Sequence, residues 1–153
     1  EIVGGTLSAG PSRLTAARDK KIPQVVSLGA LDMVNFGPKE TVPEKFKNRN
    51  LYVHNENVTL MRTTSEECEK IALDICHKLN ESTSKVALMI PLKGVSAIAT
   101  KGQVFYDEKA DEALFSTIRK NLKPNVELIE LDHAINDEEF SNALALKLLS
   151  YLK

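Results

Sequence analysis

The sequence predicts an α/β domain: a mainly parallel, Rossmann-like sheet of about four strands with helices on both faces, in three layers. Two observations carry this expectation. Short apolar runs rich in β-branched residues, at Gln24–Leu28, Lys85–Pro91 and Val126–Leu131, alternate with stretches of helical periodicity. That alternation marks strand–helix–strand units, whose parallel strands are buried on both faces. The length of 153 residues, 42% of them hydrophobic, suits one such domain.

Taken in order, Ile2–Val3 reads as the end of a first strand, running into a glycine turn at Gly4–Gly10. Pro11 and Ser12 open a short helix, Ser12–Lys21, which Pro23 stops. Gln24–Leu28 is the second strand. Gly29–Asn50 has no period and contains Gly37, Pro38 and Pro43, so it reads as a long loop with one helical turn at Pro43–Lys47. Leu51–Val53 and Val58–Met61 read as short extended pieces. Thr63, Thr64 and Ser65 just before Glu66 and Glu67 form a capping-box pattern ahead of a helix to about Asn80, whose Cys68, Ile71, Ala72, Ile75, Cys76 and Leu79 share one face. Lys85–Pro91 is a strand, Glu108–Leu122 a helix, Val126–Leu131 the last strand. Asp137 is placed to cap a final helix that runs to about Leu152.

The formal net charge is −1, which argues against direct binding of nucleic acid or an anionic membrane. No apolar run approaches the roughly 20 residues of a membrane span. Cys68 and Cys76 fall on one helix about 12 Å apart, too far for a disulfide, and read as buried thiols in a reducing, cytoplasmic setting. The chain lacks an initiating Met and opens at the tail of a strand, so it is expected to be the C-terminal half of a longer, two-domain protein.

In open parallel sheets, ligands bind beyond the carboxyl ends of the strands, where helix N-termini present free N–H groups. The loops after the strands therefore hold the candidate residues. The first, with Gly4, Gly5, Ser8, Gly10, Ser12 and Arg13, combines close backbone approach, hydroxyl donors and a cation, as a phosphate or carboxylate requires. A tight turn with a serine cap is the plainer reading. Asp32 and Asn35 follow the second strand and suit either a ligand hydroxyl or Asx turns. Lys93, Gly94 and Ser96 follow the third, and His133 and Asn136 the fourth. His133 and His54 are the acid–base candidates, because histidine titrates near neutrality. Arg62 joins the anion-binding set. His54, His133, Asp32 and Asp137 are ligand types for a metal, but their spacing matches no zinc or other ligand signature, so none is expected. Gly-x-Ser-x-Gly does not occur.

Several stretches carry a resemblance. They include Gly4–Arg13, the run Ile22–Pro38 with Gly-Ala-Leu-Asp-Met-Val-Asn-Phe-Gly-Pro, His54-Asn55 followed by Val58–Thr64, Pro91–Ala97, Phe105-Tyr106-Asp107, and His133 with Ile135-Asn136-Asp137. Over essentially the whole chain these resemble the C-terminal domain of the UPF0261 family. That family includes the plant tomato mosaic virus resistance protein and uncharacterised bacterial and fungal relatives. The resemblance implies a full-length protein of two α/β domains, with ATP and Mg²⁺ held by the N-terminal one and no cofactor in the part read here. It also implies that the N-terminal domain is a partner of this one. The expected role is binding of a small phosphorylated or carboxylated metabolite, with turnover undecided. The alternative is a nucleotide-regulated interaction domain, such as the plant inhibitor of viral RNA replication. A supporting or dimer-forming role, as a homo-oligomer, is the third reading.

Overall fold

The computed structural model describes residues 1–153. In chain order its elements are α1 (Ala16–Asp19), β1 (Gln24–Ser27), β2 (Met33–Phe36), β3 (Leu51–Asn55), β4 (Val58–Arg62), α2 (Ser65–Asn80), β5 (Val86–Pro91), α3 (Glu108–Asn121), β6 (Val126–Leu131) and α4 (Glu138–Tyr151). Two 3-10 turns, Lys39–Thr41 and Glu44–Phe46, lie between β2 and β3.

β5 is buried at every position. A strand without a polar face needs cover on both sides and so belongs at the centre of a sheet. β1 and β6 flank it, both parallel to it, in the order β1-β5-β6. Val86, Leu88 and Ile90 join Cys68, Ala72, Ile75 and Leu79 of α2 and Leu114, Phe115 and Ile118 of α3 in the main core. Ala87 and Met89 alternate with them, are also buried, and therefore face the other way. α4 packs against β1 and β5.

The α/β class is as the sequence predicts, but the parallel sheet has three strands rather than four. Ile2–Val3 forms no strand. Gly4 adopts φ +98°, and the backbone N–H and hydroxyl of Thr6 donate to the carbonyl of Asn35 at 2.9 and 3.0 Å. These bonds anchor the segment on β2 rather than beside β1. The Ser12–Lys21 helix shrinks to one turn, α1, whose N-cap position is Thr15 and not Ser12. Leu14 and Lys21 at φ 70° and 54° bracket it, and such φ values end a right-handed helix.

The segment read as a long loop supplies β2, which pairs antiparallel with β4, while β3 pairs with the other side of β4. The result is a second, antiparallel sheet ordered β2-β4-β3. β2 is four residues long with a polar Asn35, so its local signal is weak. Pairing with β4 makes it a strand. Phe36, Val42, Phe46 and Met61 form a small separate core beneath it.

α2 starts as its sequence demands. Thr64 Oγ1 accepts the N–H of Glu67, and the Glu67 carboxylate accepts the N–H of Thr64 at 2.8 Å. Arg49 grips the same carboxylate through two bonds, at 3.0 and 2.7 Å. Burial works against the charged form of Glu67, but the Arg49 and Thr64 hydrogen bonds outweigh it and hold the carboxyl below its ordinary pKa. A lowered folded pKa adds stability above the unfolded pKa that is lost as pH falls. Glu67→Ala should therefore cost about 1–2 kcal/mol in urea denaturation at pH 7 and much less below pH ~4.

Candidate functional site

Arg62 ends β4 and is 4% exposed. A buried guanidinium must have its donors met. Here Nε donates to the Phe105 carbonyl at 2.8 Å, Nη1 to Thr63 Oγ1 at 3.0 Å, and Nη2 to Asp111 Oδ1 at 2.6 Å and the Asp107 carbonyl at 3.3 Å. Arg62 was expected in an anion site. It is instead committed inside the protein, joining the antiparallel sheet to the start of α3. Asp107 caps that helix, its Oδ1 accepting the N–H groups of Lys109 and Ala110.

Asp32 lies beside this network and is 1% exposed. Ser96 Oγ donates to its Oδ2 at 2.7 Å, while Oδ1 is buried without a partner. Burial pushes the Asp32 carboxyl up, and the Ser96 bond and the Arg62 charge oppose that only in part. Burial likewise raises Asp111 against the pull of Arg62. Two carboxylates thus share one guanidinium. The Asp32–Ser96 bond ties the loop after β1 to the loop after β5, and the Ala30 N–H, donating to the Val95 carbonyl at 2.8 Å, ties them again. Neither Asp32 nor Ser96 lines either of the two flanking clefts. Their role in this geometry is to hold two loops together.

Two clefts flank this tie. The first, of about 450 Å³, is walled by the glycine segment, by Gly29–Leu31 beyond the carboxyl end of β1, and by β2 and α2. It brings together Gly5, Gly10, Arg13 and Asn35 of the expected set. A Cβ at Gly5 would lie 2.5 Å from Val34 and 3.0 Å from the Asn35 carbonyl, so only glycine permits this approach. Leu14 and Ala30, two of the three non-glycine residues with positive φ, also line it. Strain of that kind persists where surrounding structure imposes it. The Arg13 side chain makes no hydrogen bond or ion pair, whereas Lys78 is neutralised by Asp74 at 2.7 Å. Ser8 is exposed and accepts the Gly10 N–H, and Gly4 and Ser12 are likewise exposed and outside the lining.

The second cleft, of about 680 Å³, opens between the loops after β5 and β6 and the start of α3. It takes Lys93 and Gly94, apart from the glycine segment. Lys93 pairs with Asp132 at 2.9 Å. Glu108, Asp111, Glu112 and Asp137 line the same cleft against Lys93 and Lys101, and Asp107 already occupies the helix amides, so carboxylates outnumber cations on its walls. His133 lies at its border, partly exposed, with Nδ1 3.7 Å from Asp137 Oδ2. The Asp137 side chain does not bond the amides of α4. Its Oδ2 accepts the Ala134 N–H instead. Asn136 is exposed. His54 is exposed on β3, beside Tyr52, and reaches neither cleft. The expected single edge is therefore divided, because the extra antiparallel sheet inserts between β1 and β5 in sequence and redirects their loops. No group of three or more His, Cys, Asp or Glu side chains is placed to hold a metal ion. No helix is long and apolar enough to cross a membrane.

Comparison with known proteins identifies the lineage. Residues 1–152 match the model of the uncharacterised protein family (UPF0261) C-terminal domain. The chain belongs to the UPF0261 family. It is 57% identical to a UPF0261 protein of Clostridium tetani, a match covering 100% of this chain and 38% of that protein. It is 47% identical to the ToMV resistance protein Tm-1(GCR237) of Solanum lycopersicum, over 94% of this chain and 19% of that protein. A UPF0261 protein of Mesorhizobium japonicum is 44% identical over 94% of the chain and 37% of its own length. The chain thus spans less than two-fifths of the UPF0261 proteins it matches.

Sequence reasoning missed two parts of this UPF0261 domain's site. One is Asp111, the partner of Arg62. The signal was present, since Asp111 precedes Leu114, Phe115 and Ile118 on the inward face of α3, and a carboxylate there needs a cation. The other is the contribution of α2 to the first cleft, through Ile71, Asp74, Ile75 and Lys78, which no local pattern announces.

Arg62→Met should destabilise the UPF0261 domain by about 3–5 kcal/mol in urea denaturation, by stranding Asp111. The double variant Arg62→Met/Asp111→Leu should recover most of that loss. Asp32 has a folded pKa above its ordinary 3.8, so its contribution is most favourable below that pH and declines as pH rises through the folded pKa. Asp32→Asn should remove that decline, so that the stability difference between variant and parent grows in the variant's favour from pH 4 upward in pH-resolved denaturation.

Proposed function

We propose that this domain binds a small phosphorylated or carboxylated metabolite in the first cleft, working with an ATP-binding N-terminal domain in the full-length cytoplasmic protein. In this reading the sheet is a Rossmann-like, three-layer unit, and ATP and Mg²⁺ belong to the other domain. One observation carries the proposal: the glycine segment folds over the carboxyl end of β1 with the Arg13 guanidinium unpaired at the cleft. Arg13 and Gly5 would supply the anion contacts, Gly10, whose N–H is given to Ser8, would shape the turn, and Asn35 would orient the ligand. Asp32 and Ser96 would act indirectly, by fixing the loop that carries Gly29–Leu31. His133 with Asp137 is the acid–base pair that lies nearest an open cleft, so any turnover would draw on the second cleft as well.

A second reading, a nucleotide-regulated interaction domain, is favoured by α4. Its Leu146 and Leu149, with Leu152 just beyond its end, are 67%, 55% and 65% exposed, and two of the relatives are named for resistance or susceptibility to a virus. Such a face could meet the N-terminal domain, a second copy in a homo-oligomer, or another protein.

The deciding experiment is calorimetric titration of this chain with inorganic phosphate and small carboxylates, alongside ATP titrated into a full-length family member. Phosphate should bind, and Arg13→Ala should weaken it by roughly 10- to 100-fold, the range expected for a hydrogen bond to a charged group. If the anions do not bind, or Arg13→Ala changes nothing, and only ATP acts on the full-length protein, the second reading replaces the first.

A further inference from the structure

We infer that the first cleft takes an amphiphilic anion, a carboxylate or phosphate head carrying a hydrocarbon tail. The inference deepens the proposed anion site and rests on it for the head group. The tail is argued from the walls. Ile2, Leu7, Leu31, Met33, Ile71 and Ile75 all line the cleft. Ile2 and Leu7 are 44% and 77% exposed, so the rim presents large apolar side chains to water. Burying such surface against a hydrocarbon is favourable, in proportion to the area covered.

The polar inventory points the same way. A sugar or polyol brings many hydroxyl groups, and each one buried without a partner is costly. The cleft offers few partners. Asp74 and Lys78 are engaged with each other at 2.7 Å. The Asn35 backbone carbonyl already accepts two bonds from Thr6, which leaves the Asn35 side-chain amide as the neutral polar group on the lining. Arg13 is the cation left free, with Glu1 as a charge of opposite sign on the same lining. One free cation on mostly hydrocarbon walls matches one anionic head and an apolar body. A volume of about 450 Å³ is within the range of small-molecule sites. The second cleft sets four carboxylates against Lys93 and Lys101, with Lys93 already paired to Asp132, so its balance of charge favours no anion.

The test is calorimetry on the intact chain with hexanoate, octanoate and decanoate, and with octyl phosphate, octylamine and inorganic phosphate. Affinity should rise about fourfold per methylene until the cleft is filled. Octanoate and octyl phosphate should compete, and the tighter of the two identifies the head group. Octylamine should not bind. Leu7→Ser, at an exposed position that leaves the core intact, should weaken octanoate several-fold and leave inorganic phosphate unchanged. Glu1→Gln should tighten every anion. Arg13-dependent binding of phosphate with no gain from the alkyl chain overturns this inference and leaves the anion site standing. A chain-length series that Arg13→Ala leaves unchanged, or equal binding of octylamine, overturns both.

Discussion

Burial of Arg62 is the constraint on which the arrangement depends. A guanidinium at 4% exposure is tolerable only with its donors satisfied, and the groups that satisfy it come from separate parts of the chain. Asp111 belongs to α3, Phe105 and Asp107 to the segment leading into it, and Thr63 to the turn before α2. The antiparallel sheet therefore cannot shift against the helical layer without stranding a charge. The same network sets the electrostatics around Asp32, whose charge it partly balances and whose carboxyl joins two loops through Ser96.

That anchoring explains why the candidate residues do not gather at one place. In a plain succession of strand–helix units, every loop after a strand would open on the same edge. Here β2, β3 and β4 intervene between β1 and β5. The glycine segment is drawn toward β2 by Thr6 and Asn35, while Lys93 and Gly94 stay with β6 and α3. The Asp32–Ser96 bond holds the boundary between the two clefts. The first is apolar with a free cation, the second acidic. These are different chemical environments built from one set of loops.

Much of this was legible in the sequence where the signal is local. The Thr64–Glu67 capping box, the inward face of α2, the wholly apolar β5 and the course of α3, β6 and α4 follow from periodicity and end signals. The hairpin of β3 and β4 was visible as two short extended pieces. β2 was not, because four residues with a central asparagine acquire strand geometry only by pairing with β4. Ile2–Val3 misled for the converse reason: an apolar pair before a glycine turn looks like a strand end, but no neighbour pairs with it.

For the site, residue types such as Gly5, Arg13, Asp32 and Ser96 could be singled out by chemistry and loop position. Their roles could not be read the same way. A free cation and a buried one look identical in sequence, yet Arg13 makes no pair and Arg62 is engaged through Nε and both Nη groups. The sequence by itself determined the α/β class, the helices α2, α3 and α4, the capping of α2, and the three strands of the parallel sheet, because each is dictated by side-chain period and turn chemistry over a few neighbouring residues. Only the tertiary structure decided the second sheet, the division into two clefts and which charges are free, because those depend on partners distant in the chain, as in Ser96 with Asp32 at a separation of 64 and Arg62 with Asp111 at 49.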